Sequence, residues 1–555
     1  MPDHKNISSL IAGLAASRPD TPAIISGGGA ISFGELEAAV ALHAAGLARA
    51  GIKPGMRVAL MVPPSIDFVT LTFALFRAGA VLVLIDPGIG LANMRACLEE
   101  ARPEAFVGVP KAQAARLLLR WARKSLKIFI TAGGKWFWGG LTLNDIRRLG
   151  ADNKKGTGYF FEPESPNENK VACPLFSSGT AAILFTSGST GAPKGAVYTH
   201  SMFAAQARML KEYFSIEPGA YSVPTFPLFA LFDVALGLTI VIPEMDFTRP
   251  AAADPEMLSA LINKYGAAQL FGSPALLDTL SRYGEKSGAA LPSLTRVISC
   301  GAPVSPAVIK RIKRMLPDET RIFTPYGATE ALPVSCVSSE ELDALEPGQP
   351  GICVGRTWKG METFIIKISD APILSWSEDL LVKEGEIGEI AVKGPVVSGE
   401  YFGRAESTAL AKIKGPGGEL YHRMGDTGWK DKESRVWFCG RKSHRVTTQE
   451  GTLFTIPCEA VFNAHPGVRR SALIGTGQPG RQTPVLCVEL EKGRTASETL
   501  TSELLGLGAA HKHTKDIKTI FYHPCFPVDI RHNAKISREK LAVWAEHRLT
   551  AGSRT

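Results

Sequence analysis

Apolar and polar positions over the first hundred residues change period repeatedly, from two to about three and a half. Ala23–Ser26 and the short Ile31–Ser32 read as strands around a Gly27-Gly28-Gly29 turn. Ser32 stands three before Glu35, the spacing of a capping box, so a helix starts there. Its apolar positions continue to Ala50, and Gly51 follows as a stop. Arg57–Val62 predicts a strand, Ser65–Arg77 a helix, and Val81–Ile85 a strand ended by Asp86-Pro87-Gly88. Strands alternating with helices of this length predict an α/β fold with a parallel sheet.

The pattern changes three times further on. Residues 151–180 are polar and carry Lys154, Lys155, Pro163, Glu164 and Pro166, which predicts an exposed connector. Alternation resumes at Ala181 and runs to about residue 350. Shorter strands with glycine turns follow, such as Gly388–Val392, up to a charged break at Gly440–Arg445. The remainder reads as a small α/β unit ending in a helix, Ser537–His547. The expected division is a large domain over 1–440, with subdomains at roughly 1–180, 181–350 and 351–440, and a small mobile α+β domain over 441–555.

Composition narrows the class. A chain of 555 residues corresponds to three or four folding units at about 150 residues each. With 45% apolar and 21% charged residues it can bury a core, which excludes a mostly disordered protein. Sixty-two basic against 53 acidic residues leave +9, a balance that suits polyanionic partners or plain solubility. No arginine-rich block with interleaved aromatics supports nucleic-acid binding. Nine scattered cysteines without C-x-x-C point to a reducing compartment. Ile7–Ala16 follows a mixed segment and lacks a cleavage site, so it is not read as a signal peptide. Arg77 interrupts the apolar run Phe68–Ile85, and Asp233 interrupts Leu228–Pro243, so no transmembrane helix is expected. These signs together predict a cytoplasmic protein, with a membrane-peripheral or multi-enzyme setting left open.

The strongest chemical signal follows the strand-like run Ala181–Phe185. It is Thr186-Ser187-Gly188-Ser189-Thr190-Gly191-Ala192-Pro193-Lys194-Gly195. Its glycines let backbone N–H groups curl around an anion, its hydroxyls add short donors, and Lys194 adds a mobile charge. It is not a Walker A loop, because Pro193 stands where glycine is needed and Gly195 where serine or threonine is needed.

This string resembles the signature of the adenylate-forming superfamily, which includes acyl-CoA synthetases, luciferases and nonribosomal peptide adenylation domains. Other motifs match it in order across residues 20–548. Tyr326-Gly327-Ala328-Thr329-Glu330 resembles the adenine and magnesium motif. Asp426 in Met424-Gly425-Asp426-Thr427-Gly428 resembles the ribose-binding aspartate. Gly440-Arg441-Lys442-Ser443 resembles the domain hinge, with Arg441 as a second ribose contact. Asn533-Ala534-Lys535-Ile536 resembles the catalytic-lysine motif, with Ala534 in place of the usual glycine.

The resemblance implies ATP and Mg²⁺ as cofactors. It implies nucleotide contacts from Thr186, Ser187, Gly188, Ser189, Thr190, Gly191, Lys194, Gly301, Ala302, Pro303, Tyr326, Gly327, Ala328, Thr329, Asp426 and Arg441. Lys535, Glu330, Thr190 and Lys194 are the expected catalytic groups, and Glu330 the expected metal ligand. An acyl phosphate needs cations around its transition state, which suits Lys535 and Mg²⁺. Tyr326 can stack on adenine, and Asp426 can accept from both ribose hydroxyls. Lys442 and His444 read equally well as a charged hinge face and carry no catalytic assignment.

Three strings depart from ordinary CoA ligases. Phe226–Asp233 carries Ala230 where a histidine is common. Thr447–Phe454 replaces the glycine-rich segment on the CoA side, and the terminal motif reads Phe526–Lys535. With Ile242–Asp246 and Phe271–Ala275, these are similar to one subgroup, the β-lactone synthetases of bacterial long-chain olefin biosynthesis, often labelled fatty acid–CoA ligases. That likeness implies a long-chain 2-alkyl-3-hydroxy fatty acid substrate and other olefin-pathway enzymes as partners. Phe229, Ala230, Phe232, Ser273 and Leu332 are the expected pocket residues. Long-chain acyl-CoA synthetase is the competing enzyme reading, and a non-catalytic nucleotide-binding subunit the competing reading of another class.

Overall fold

The computed structural model describes residues 6–152, 179–185, 192–528 and 536–552. The chain forms two compact units. One comprises Met1–Thr248, Met257–Phe271 and Ser398–Thr408; the other comprises Arg249–Glu256, Gly272–Val397 and Ala409–Thr555.

The first unit carries the expected α/β alternation. Its seven-stranded sheet runs in the order Leu141–Thr142, Ile128–Thr131, Ala105–Gly108, Arg57–Met61, Val81–Leu84, Thr180–Phe185, Gly195–Thr199. Every pairing is parallel except that of the last two strands, which form a hairpin around the glycine-rich string. A second group of strands pairs Gln269–Phe271, Tyr221–Pro224, Thr239–Val241 and Pro22–Ser26 in parallel, with Gly29–Ser32 antiparallel at the end.

Local chemistry explains the boundaries. Ser32 Oγ accepts the Glu35 N–H at 3.2 Å and Glu35 accepts the Ser32 N–H at 2.8 Å, so the capping box is closed at both ends. The helix runs Phe33–Arg49, and Gly51 takes φ +96° just beyond it. Ser65 caps Ile66–Arg77, in which every residue from Phe68 to Phe76 is buried. That continuous burial explains an apolar run that no membrane is needed to accommodate. No helix among the described residues is long and apolar enough to cross one.

The second unit is mainly antiparallel. Its strands run Glu362–Ile366, Gly388–Lys393, Leu420–Lys430, Arg435–Arg441, Ile352–Thr357, Ala331–Ser338, Arg321–Ala328, Arg296–Ile298, and only the last pair is parallel. Lys412–Lys414 pairs onto Leu420–Lys430. Its last hundred residues hold a three-stranded sheet, Val468–Thr476, Thr483–Leu490 and Thr519–Tyr522. Helices Thr455–Asn463 and Glu498–Ala509 supply Phe462 and Leu504 to a core with Leu486. The terminal helix Arg538–Gly552 packs Leu541 and Ala545 with Phe526 in a further cluster. It runs five residues beyond the predicted end at His547.

Candidate active site

Two side chains of the second unit converge on one carboxylate, Asp426. Asp426 and Arg441 are direct cross-strand partners on Leu420–Lys430 and Arg435–Arg441. Arg441 donates to Asp426 Oδ1 at 2.7 Å, and the Tyr326 hydroxyl donates to Oδ2 at 2.6 Å. Asp426 is 4% exposed. Burial, and then the Asp426 charge, push the Tyr326 phenol well above its usual range, so it stays a protonated donor. Asp426 raises Arg441 further, against the opposing effect of burial. A carboxylate offers about four lone-pair directions, and only two are used here. Each oxygen therefore keeps one acceptor site, which suits the two hydroxyls of a ribose.

Glycine geometry holds this cluster in place. A Cβ on Gly327 would lie 2.7 Å from the Leu332 side chain and 2.8 Å from the Ala331 carbonyl, so the hairpin closes tightly only with glycine there. Gly440 takes φ +122°, and a Cβ there would meet Thr455 Oγ1 at 2.2 Å. The Phe438 ring lies 6.2 Å from that of Tyr326.

Glu330 sits between hairpin strands Arg321–Ala328 and Ala331–Ser338. It is electrostatically coupled to Arg441 and to Lys412, whose side chain is buried. Burial pulls Lys412 down to about 7, and Glu330 partly offsets that pull. No group of three metal-ligating side chains occurs among the described residues. A lone carboxylate fits Mg²⁺, which keeps waters and substrate phosphates as its other ligands, better than a metal needing an all-protein cage.

A second buried charge cluster adjoins the first in sequence. Glu389 is fully buried, with Arg423 at 2.7 Å from Oε2 and the Lys442 ammonium at 3.0 Å from Oε1. The Lys442 approach is an ion pair off the line of a hydrogen bond. Lys442 also donates to the Ser369 carbonyl at 2.8 Å, and Arg423 to the carbonyls of Ala371 and Leu410. The lysine read as one of a charged hinge face is thus half-buried and held by a carboxylate. His444 lies 3.1 Å from Glu539, and one Arg538 nitrogen, Nη2, donates to both oxygens of buried Glu459 at 2.7 and 2.8 Å. Arg538 is three residues past Lys535.

The other expected site residues fall as follows. Thr186, Ser187, Gly188, Ser189, Thr190, Gly191 and Lys535 lie outside the described residues. Lys194 belongs to the first unit, its ammonium 5.1 Å from the centre of the Tyr401 ring. Arg404 donates to the Pro193 carbonyl and forks onto Glu100, bracing the exit of the glycine-rich string. Phe229, Ala230 and Phe232 lie on helix Pro227–Ala235 of the first unit. Phe229 stacks on Phe271 at 3.8 Å, and one turn later Asp233 accepts from Ser222 at 2.7 Å and Gln269 at 2.9 Å. Gln269 and Phe271 alternate on one strand, so the helix is pinned at a polar and an aromatic point. In the second unit, Ser273 caps helix Pro274–Ser287 and Leu332 abuts Gly327. Gly301, at φ +95°, Ala302 and Pro303 form the loop before Ser305. Ala328 ends the first hairpin strand, with Thr329 after it.

Sequence reasoning did not find Lys412, Phe438, Glu389 or Arg423. The only signal for the Glu389 cluster was Glu389 and Arg423 inside the strands Gly388–Lys393 and Leu420–Lys430; Lys442 lies in a short 3₁₀ turn past the next strand.

Comparisons with known proteins give the class. The AMP-binding enzyme family matches residues 13–402. The chain belongs to that family and is an ATP-dependent, AMP-forming enzyme. It is 48% identical to an olefin β-lactone synthetase from Xanthomonas campestris, over 97% of each chain. It is 46% identical to one from Stenotrophomonas maltophilia, over 98% of each. A solved amide bond synthetase from Marinactinospora thermotolerans superposes with TM-score 0.77 at 21% identity, covering 97% of this chain and 99% of that one. That last likeness concerns the fold.

Proposed function

We propose that this enzyme activates a 2-alkyl-3-hydroxy fatty acid as its acyl-adenylate and closes it to a β-lactone. The observation that carries the reading is near-full-length identity of 46–48% to olefin β-lactone synthetases, against 24% to a long-chain fatty acid–CoA ligase from Thermus thermophilus.

In the first step a carboxylate oxygen attacks the α-phosphorus of ATP and pyrophosphate leaves. Asp426 and Arg441 would hold the ribose, Tyr326 the adenine, and the glycine-rich string with Lys194 the phosphates. Glu330 would hold Mg²⁺, which supplies positive charge to the phosphates. Lys535 would bridge the carboxylate and the α-phosphate. In the second step the substrate's own 3-hydroxyl oxygen attacks the carbonyl carbon. The hydroxyl proton passes to the adenylate phosphate, the carbonyl–phosphate bond breaks, and AMP leaves with the electron pair. An internal nucleophile needs no CoA, because proximity replaces a second bound reactant. A swing of the residues past Ser443 would present Lys535 for the first step and withdraw it for the second. A lipid-derived substrate would suit a cytoplasmic enzyme working at a membrane surface or beside other olefin-pathway enzymes.

The test is product identification by NMR and mass spectrometry with the hydroxy acid, ATP and Mg²⁺, with and without CoA. A β-lactone formed without CoA is expected. A thioester formed only with CoA would return the protein to the acyl-CoA ligases. The ribose assignment makes its own prediction. Asp426→Asn should weaken ATP binding by roughly ten- to a hundredfold, the range for hydrogen bonds to a charged group. Titration calorimetry showing less than about a twofold change would remove Asp426 from the ribose site.

A further inference from the structure

Lys194 and its two neighbours are gripped by one short segment some two hundred positions further along the chain. Arg404 Nη2 donates to the Pro193 carbonyl at 3.1 Å, and the Phe402 N–H donates to the Gly195 carbonyl at 2.8 Å. Lys194 therefore stands between two anchored peptide carbonyls. Its ammonium lies 5.1 Å from the centre of the Tyr401 ring, within reach of a cation–π contact. Tyr401 is buried and bridges Ala196 in antiparallel fashion. All of these residues belong to the first unit.

Residue types explain why the grip falls here. Pro193 has no N–H, so its carbonyl is the only backbone group that can be held. Gly195 lies too close to the preceding strand for a side chain, since a Cβ would meet Ile183 Cγ2 at 2.6 Å and Phe185 Cζ at 3.1 Å. The gripping segment is itself braced. Thr408 Oγ1 accepts the Tyr401 N–H at 3.0 Å and donates to the Arg404 carbonyl at 2.9 Å. Glu100, on helix Leu91–Ala101, accepts from Arg404 Nε at 2.9 Å and from Nη2 at 2.5 Å. Nη2 carries two hydrogens, one for Glu100 and one for the Pro193 carbonyl. The carboxylate thus sets the plane of the guanidinium, and the plane aims the second hydrogen. A lysine has no such planar fork.

We infer that Arg404, oriented by Glu100, is a positioning residue for Lys194 in acyl-adenylate formation. The inference rests on the phosphate role of Lys194 in the reading above. A lysine carries its charge on a flexible four-carbon stem, so where the ammonium can reach depends on how firmly the backbone beneath it is held. Arg404 acts through the Pro193 carbonyl and not on the substrate. Misplacing a catalytic group by about an ångström can cost about a hundredfold in rate. The dependence is confined to the first step. Lys194 would meet the phosphates that depart as pyrophosphate, and the acyl-adenylate no longer carries them.

The test is a double-mutant cycle between Arg404 and Lys194 in the full chain, read by ATP–pyrophosphate exchange with the hydroxy acid. Arg404→Ala should slow exchange by about ten- to a hundredfold. In a Lys194→Ala background the same substitution should change the remaining rate by less than about twofold, because no ammonium is left to position. Arg404→Lys keeps the charge beside Glu100 but not the fork, and should recover little of the loss. AMP release from a synthetic acyl-adenylate reads the second step and should stay within about twofold of wild type in Arg404→Ala and Glu100→Gln, which also shows that they are folded. If Arg404→Ala does not fold, Glu100→Gln, which keeps the side-chain shape, carries the same cycle. Equal losses with and without Lys194 overturn the inference. So does equal slowing of both steps, the mark of a merely structural contact, and so does wild-type exchange in Lys194→Ala. A thioester in place of the lactone would overturn the reading above and leave this result standing; additive losses would do the reverse.

Discussion

Alanine at Lys535 is expected to slow acyl-adenylate formation by about a thousandfold while changing ATP affinity by less than about threefold. The asymmetry follows from where the charge is needed. In the proposed mechanism the metal, Lys194 and backbone donors would meet the phosphate charge of ground-state ATP. Further negative charge would develop as the carboxylate oxygen approaches the α-phosphorus. A lysine between carboxylate and α-phosphate acts on that developing charge and hardly on the ground state. ATP–pyrophosphate exchange reads the first step, and calorimetry reads the affinity. A synthetic acyl-adenylate reads the second step alone, and the Lys535→Ala enzyme should cyclise it at close to the wild-type rate. Exchange at an undiminished rate would remove Lys535 from the mechanism. Equal loss in both steps would refute a lysine that is withdrawn between them.

What was legible in the sequence was chemistry carried by contiguous residues. The glycine-rich string, Tyr326–Glu330 and the Asp426 motif each announce themselves, because backbone curvature and side-chain type must coincide within a few residues. The capping box at Ser32 and Glu35 is legible for the same reason. What was not legible depends on register and depth. Arg441 and Asp426 were each singled out, yet only strand pairing makes them direct partners. Lys412 and Lys414 alternate around Ile413 on one short strand, so period two gives both the same face. Lys412 is buried and Lys414 exposed, because depth is set by what lies over each position and not by the alternation. Lys442 had the composition of a solvated hinge. Its partner Glu389 is 53 positions earlier, and Arg423 is 34 from Glu389, so no local pattern joins the three.

That cluster sets up the largest stability effect. Arg441 and Lys442 are consecutive, and each is held by a different buried carboxylate, Asp426 and Glu389. The backbone at the start of the proposed hinge is therefore clamped by two charges at adjacent residues. Glu389→Gln keeps shape and removes charge, leaving buried Arg423 and half-buried Lys442 with only carbonyls and an amide to meet them. Burial already lowers the Lys442 pKa, and Glu389 is what opposes that lowering. Breaking a buried pair from one side costs about 3–5 kcal/mol, far more than the net worth of the pair. The measurement is urea unfolding followed by hydrogen exchange in Gly388–Lys393, because a chain of two units need not unfold in one step. A loss below about 1 kcal/mol would mean that the cluster is hydrated in solution and clamps nothing. Lys442→Met in the Glu389→Gln background should recover about 1–2 kcal/mol, since it removes the cation with the fewest other partners. Arg423→Met should not substitute for it, because that side chain also ties together the carbonyls of Ser369, Ala371 and Leu410.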